Sequence, residues 1–188
     1  DAGWVDPATV YMSCLVHNDG DANQLLRPLT TSVNGCFQRG RLLSGQIIED
    51  CLEYSRISTI YYWLLPAVVH AEREKVGFAT RRVVGQSTST GKRLLAAIQP
   101  GKTKRVNHRP IFGLLQQNKF LPVQYMPLTF EFTLTHDSKS WLDTGTTNGI
   151  ANSTKWHLSE CYMYYDIITL DAEVQANYAN VLRQGQAL

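Results

Sequence analysis

The chain has 188 residues, of which 44% are hydrophobic and only 18% charged, a length that fits one domain over residues 1–188 with a substantial core. Soluble domains ordinarily carry roughly 25% charged residues, so the low charge predicts extensive contact with other subunits. The net charge of +2 hides a division: Lys75 to Phe130 contains no Asp or Glu and ten of the eighteen Lys and Arg, while the remainder holds eight basic and all sixteen acidic residues. That pattern excludes paired-carboxylate chemistry in the middle of the chain and implies an anionic partner or an acidic neighbour for it.

In chain order, Thr9 to Val16 is the first predicted strand. Asp19 to Arg27 has an acidic start and stops at Pro28, which predicts a short helix. Cys36 to Leu43 and Gln46 to Glu49 flank Ser44-Gly45 and predict a hairpin. Tyr54 to Leu65 places Ile57, Ile60, Tyr61 and Leu64 at helical spacing before Pro66. Gly77 to Val84 and Leu94 to Gln99 are further predicted strands, separated by a Ser/Thr-rich loop at 85–91. In Tyr125 to Thr135, Leu128, Phe130, Phe132 and Leu134 alternate with Thr129, Glu131, Thr133 and Thr135, the period of a half-buried antiparallel strand with Phe130 and Phe132 in the core. A long polar loop, His136 to Thr154, leads to Lys155 to Thr169, rich in Trp156, Tyr162, Tyr164, Tyr165, Ile167 and Ile168. Large residues on both of its faces predict a second sheet or a partner against it. These two strands are expected to be adjacent or facing. Asp171 to Gln184 reads as a helix with Asp171 as N-cap and Gly185 as terminator. Strands outnumber helices and do not alternate with them. The predicted fold is therefore mainly β: an antiparallel β-sandwich of jelly-roll type with a few short helices.

Ile60 to Val69 is too short to span a membrane and contains Pro66, and no signal-peptide pattern opens the chain. The first residue is Asp1 rather than Met, which points to a processed boundary or to one piece of a longer chain. Cys14, Cys36, Cys51 and Cys161 form no C-x-x-C pair and are expected to be buried free thiols in a reducing compartment. His17, His70, His108, His136 and His157 show no metal-ligand spacing, so no metal, cofactor or catalytic residue is assigned. Gly85 to Lys92 imitates a phosphate-binding loop. It has five residues between its glycines instead of four, and Arg93 where a Ser or Thr must ligate Mg²⁺. Glu49, Asp50 and Glu53 are expected to favour the start of the following helix, with Asp50 as its cap. Asn152-Ser153-Thr154 matches a glycosylation sequon and is read as incidental.

The densest basic stretch lies between Gly101 and Pro110. Lys102, Lys104, Arg105 and Arg109 are the candidate contacts to nucleic acid or another anion, made through phosphates without base stacking. The same charges can instead form a solvated loop or meet acidic residues of a neighbouring subunit.

Leu42-Leu43-Ser44-Gly45-Gln46-Ile47-Ile48-Glu49-Asp50, followed by Tyr54-Ser55-Arg56-Ile57, resembles a segment of jelly-roll major capsid proteins of eukaryotic DNA viruses, of the polinton-like and adintovirus type. Gly113-Leu114-Leu115 with Phe120 to Leu128, and Thr169-Leu170-Asp171, resemble two further segments of that family. Gln124 stands where the family pattern has a basic residue, and the chain has room for one jelly roll where the family carries two. The resemblance implies a capsid subunit without catalytic residues, assembled inside a host cell into a virion with copies of itself or related subunits. A second reading is a lectin-like jelly-roll binding domain in which Trp141 and Trp156, flanking the long loop, stack on a sugar.

Overall fold

The structure is a computed structural model that describes residues 3–29, 33–64, 97–137, 141–147 and 149–184. Ten strands and two α-helices occur among them, in the order β1 (Trp4–Val5), β2 (Tyr11–Asn18), β3 (Phe37–Ser44), β4 (Gln46–Cys51), α1 (Tyr54–Leu64), β5 (Thr103–His108), β6 (Thr129–Leu134), β7 (Thr146–Thr147), β8 (Ile150–Ala151), β9 (Trp156–Tyr164), β10 (Ile167–Ile168) and α2 (Ala172–Arg183). Two three-stranded sheets, β5-β2-β9 and β4-β3-β6, are joined by two small pairs, β1-β10 and β7-β8. Every strand pair is antiparallel. The architecture is a mainly-β antiparallel sandwich with few helices.

Period-two alternation explains the core. Met12, Cys14 and Val16 share one face of β2, and Val106 and His108 share the matching face of β5; all are buried. Phe37 and Leu42 of β3, Tyr54 of α1, and Phe112 and Leu115 between β5 and β6 join them in one apolar cluster. Phe130 and Phe132 pack against that cluster but stay half-buried. The hairpin of β3 and β4 turns at Gly45, whose φ of 68° lies in the region that favours glycine. At Gly40 a side chain is excluded, because a Cβ would lie 2.5 Å from the Tyr54 ring.

Several predicted elements differ. Asp19 to Arg27 is not a helix: Asn23 is left-handed with φ 76°, and the Asn18 side chain takes the backbone of Gln24, Ile98 and Gly20 as its partners instead. A helical turn there competes with these local bonds and loses. The 125–135 and 155–169 segments lie in different sheets, β6 beside β3 and β9 beside β2. Of the two expected arrangements, adjacent or facing, they take the second: they are not neighbours in one sheet, and Phe130, Phe132, Leu158 and Met163 reach one core from the two sheets. The second segment is two strands, broken at Tyr165-Asp166, where the Asp166 amide turns to the Thr9 hydroxyl at 2.9 Å. The α1 stripe also faces the wrong way for a core helix. Tyr54 and Ser58 are buried, while Ile57, Ile60 and Leu64 are exposed. α2 begins as expected, with the Asp171 carboxylate accepting from the Glu173 amide at 3.1 Å, and its Tyr178 packs edge-on against Trp4 at 4.5 Å. The 77–84 strand, residues 94–96 of the 94–99 strand, the 85–92 loop and Gly185 lie outside the described residues. No helix among the described residues is long and apolar enough to cross a membrane.

Candidate functional site

The basic segment is a strand, not a loop. Pairing with β2 sets Lys104 opposite Val16 and Arg105 opposite Leu15, so successive cations fall on opposite faces of the sheet. Lys104 shares the face of the core residues Val106 and His108, and burial lowers its pKa. Arg105 is on the outer face, where it forms an ion pair with Glu160 of β9 and donates to the Ser13 hydroxyl at 3.3 Å. Glu160 lies far away in sequence, outside the acid-free window, and is delivered across β2 by strand pairing. Arg109, just past the end of β5, donates to the carbonyls of Leu115 at 2.5 Å and Pro7 at 3.2 Å. Its guanidinium clamps the N-terminal segment to the turn at Gly113–Gln116. Lys102 is exposed in the turn before β5, and its ammonium has no ion-pair partner among the described residues. The four cations therefore do not converge. Lys102 alone of them presents an unpaired charge.

The acidic cluster also separates once folded. The Glu49 carboxylate accepts from the amides of Gly113 and Leu114, each at 2.7 Å. Asp50 does not cap α1; it takes a two-pronged contact from Arg39 at 2.8 and 2.5 Å, and this hydrogen bonding holds its carboxyl below the usual range. Glu53 pairs with Arg56 at 3.4 Å. Glu49 links two of the segments that carry the capsid resemblance. The Tyr54 hydroxyl accepts from the amide of Ile111, which precedes the second of these segments, at 3.1 Å.

Other sequence-level candidates resolve into structural roles. Trp141 is fully buried and meets Trp156 edge-on at 4.8 Å, so it presents no stacking surface to a sugar. Asn152 and Ser153 of the sequon are buried. No group of three His, Cys, Asp or Glu among the described residues is placed to hold a metal ion. Strand pairing does bring together two histidines far apart in sequence. His17 and His157 stack at 4.0 Å, with Ser159 on the first at 2.6 Å and Asp19 on the second at 2.5 Å. No spacing rule finds such a cross-strand pair.

What remains unsatisfied is apolar. At β4 and α1, Ile47, Ile48, Leu52, Ile57, Ile60 and Leu64 are exposed, Leu64 to 79%. At β9, β10 and α2, Tyr162, Tyr164, Tyr165, Ile167 and Val174 are exposed, Ile167 to 61%. β4 is an edge of one sheet and β9 an edge of the other. Comparison with protein-family models, curated proteins and solved structures finds no match.

Proposed function

We propose that this chain is a structural subunit of a protein shell, a jelly-roll capsid protein that assembles with copies of itself or with related subunits in a virion. The observation that carries the reading is the pair of exposed apolar surfaces at the edges of two different sheets. Exposed large apolar groups gathered at one place mark an interaction site. A closed dimer uses one self-complementary patch, whereas a shell or ring needs two different surfaces that meet head to tail. The aromatic run at β9 and β10, expected to be covered by a second sheet or a partner, has no second sheet over it among the described residues. A neighbouring subunit is the cover this reading assigns to it.

The coupling of Glu49 to Gly113-Leu114 also favours the reading, because it joins two segments that resemble the capsid family. In an assembled shell the basic segment faces the genome or an acidic neighbour. Lys102 is its accessible charge, Lys104 is half-buried, and Arg105 is available to an external anion only by leaving Glu160. No observation favours the lectin-like alternative, since the tryptophan it needs is buried.

Light scattering and negative-stain electron microscopy of the purified chain test the proposal. The expected result is large closed particles or concentration-dependent oligomers, lost in both Ile57→Lys and Ile167→Lys variants that keep wild-type circular dichroism. A stable monomer at high concentration, with no partner present, would overturn it.

A further inference from the structure

The pairing of β2 with β9 slips at one point. Ser13 faces Tyr162 and Leu15 faces Ser159, so Cys14 alone is opposed by two residues, Glu160 and Cys161. Two residues against one is a β-bulge, a feature that re-aims side chains. Glu160 takes a φ of 46°, a left-handed conformation uncommon outside glycine, and its carboxylate is held by Arg105 across β2. Beside it, Cys161 is the second of the two residues that oppose Cys14. Regular cross-strand partners have Cα atoms about 4.5–5.5 Å apart; a bulge shifts Cys161 from that position by less than one residue, and a disulfide bridges Cα atoms about 4.4–6.8 Å apart. Cys14 is fully buried and Cys161 is exposed, and both are free thiols here.

We propose that Cys14 and Cys161 form a reversible disulfide across this bulge when the protein meets a small-molecule oxidant, fastening the edge strand β9 to β2. Exposure assigns the order of events. The Cys161 thiolate attacks a small disulfide such as oxidised glutathione, forms a mixed disulfide and releases one glutathione thiolate, which takes up a proton. Cys14 then loses its proton, attacks the Cys161 sulfur and expels the second glutathione. Two protein thiols are oxidised by two electrons, and one glutathione disulfide is reduced to two thiols. Burial, the larger cause, and the neighbouring Cys161 push the Cys14 thiol up to about 12. The second step is therefore slow at neutral pH and accelerates with alkalinity, because the thiolate is the nucleophile. A disulfide reached by solvent at one end is of the labile, reducible kind. It stays open against the glutathione pool of a cell interior and closes in an oxidising medium. Cys36 also belongs to the core around Cys14, but it is fully buried and has no access to the oxidant.

The test uses the intact chain. It is incubated with oxidised glutathione at pH 8.5, unfolded in the presence of N-ethylmaleimide, digested without reduction and mapped by mass spectrometry. The expected product is lighter than the reduced chain by two hydrogen atoms, yields a Cys14–Cys161 linked peptide, leaves Cys36 and Cys51 alkylated, and reverts with dithiothreitol. A Cys161→Ser variant should show no mass loss, and oxidation should leave its melting temperature unchanged while raising that of the wild type. A glutathione adduct that stops at Cys161 with Cys14 still alkylated, a Cys14–Cys36 link, or a link between two chains would each overturn the proposal.

Discussion

His108 is the most informative single residue to perturb. It ends β5 opposite Met12, is 7% exposed, and lies with its ring 5.7 Å from that of Phe37. Neither ring nitrogen has a hydrogen-bond partner among the described residues. Burial lowers its pKa from the ordinary 6.5 to about 3. Between those values the unfolded chain binds a proton that the folded chain does not. The contribution to stability is complete above pH 6.5 and is lost as pH falls through the window. Each pKa unit corresponds to about 1.36 kcal/mol, so moving from pH 7.5 to pH 5 should cost about 2 kcal/mol. In melting temperature that is about 4–8 °C for a chain of this size. Asp50, held below its usual range by Arg39, stays ionised throughout and adds nothing to the slope. Urea unfolding of the wild type and of His108→Leu at pH 7.5, 6 and 5 measures the effect. The variant should match or exceed the wild type at pH 7.5, since it gives up no hydrogen bond, and should lose less than half as much stability by pH 5. Equal losses in the two chains would show that His108 is not held neutral in the core.

Two further outcomes follow from the same geometry. Tyr54→Phe keeps the ring among Phe37, Phe112 and Phe132 but removes the acceptor of the Ile111 amide, and should cost about 1–2 kcal/mol. Because burial raises the Tyr54 hydroxyl above its ordinary 10, the wild type should also lose stability as pH rises past 10, while the Phe variant lacks that contribution; denaturant midpoints at pH 8 and 10.5 separate the two effects. If the chain binds nucleic acid, Lys102→Ala should lower the salt slope of filter binding by about one unit with an unchanged melting temperature. Arg109→Ala should instead lower the melting temperature, through about 1–3 kcal/mol of lost bonding to two backbone carbonyls; the reverse pattern in the two variants would refute the roles assigned to them.

The elements legible in the sequence are those where local pattern and burial agree. The hairpin at Gly45 needs a left-handed turn residue and has one; the helix after Asp171 has a cap; β6 alternates cleanly. Where tertiary partners decide, local pattern misleads. Ile57, Ile60 and Leu64 are spaced as a core stripe, yet α1 turns Tyr54 and Ser58 inward, because the Tyr54 ring fills the space left by Gly40. Asp50 stands where a cap is wanted, but a guanidinium on the paired strand is a stronger partner than helix amides four residues on. β5 was hidden by its own charge: Lys104, Arg105 and Arg109 read as solvated loop, and only Val106 and His108 hint at an inward face.

The division of charge along the chain has a specific spatial outcome. β2 lies between β5, from the acid-free window, and β9, from the acidic remainder, so antiparallel pairing sets basic and acidic segments within reach of each other across one neutral strand. Arg105 and Glu160 are the result. The basic middle and the acidic flank of the chain thus neutralise part of each other inside one sheet, and at this pair segregation in sequence does not become segregation in space. Strand alternation removes more, turning Lys104 toward the core side, and Arg109 is consumed by backbone carbonyls. Among the described residues, what this sheet leaves for an outside anion is a single exposed lysine at its end, and the affinity of phosphate binding grows with each charge neutralised. If copies of the chain assemble as proposed, each would add one Lys102 to a shared surface, and multiplicity would supply contacts that this sheet does not concentrate.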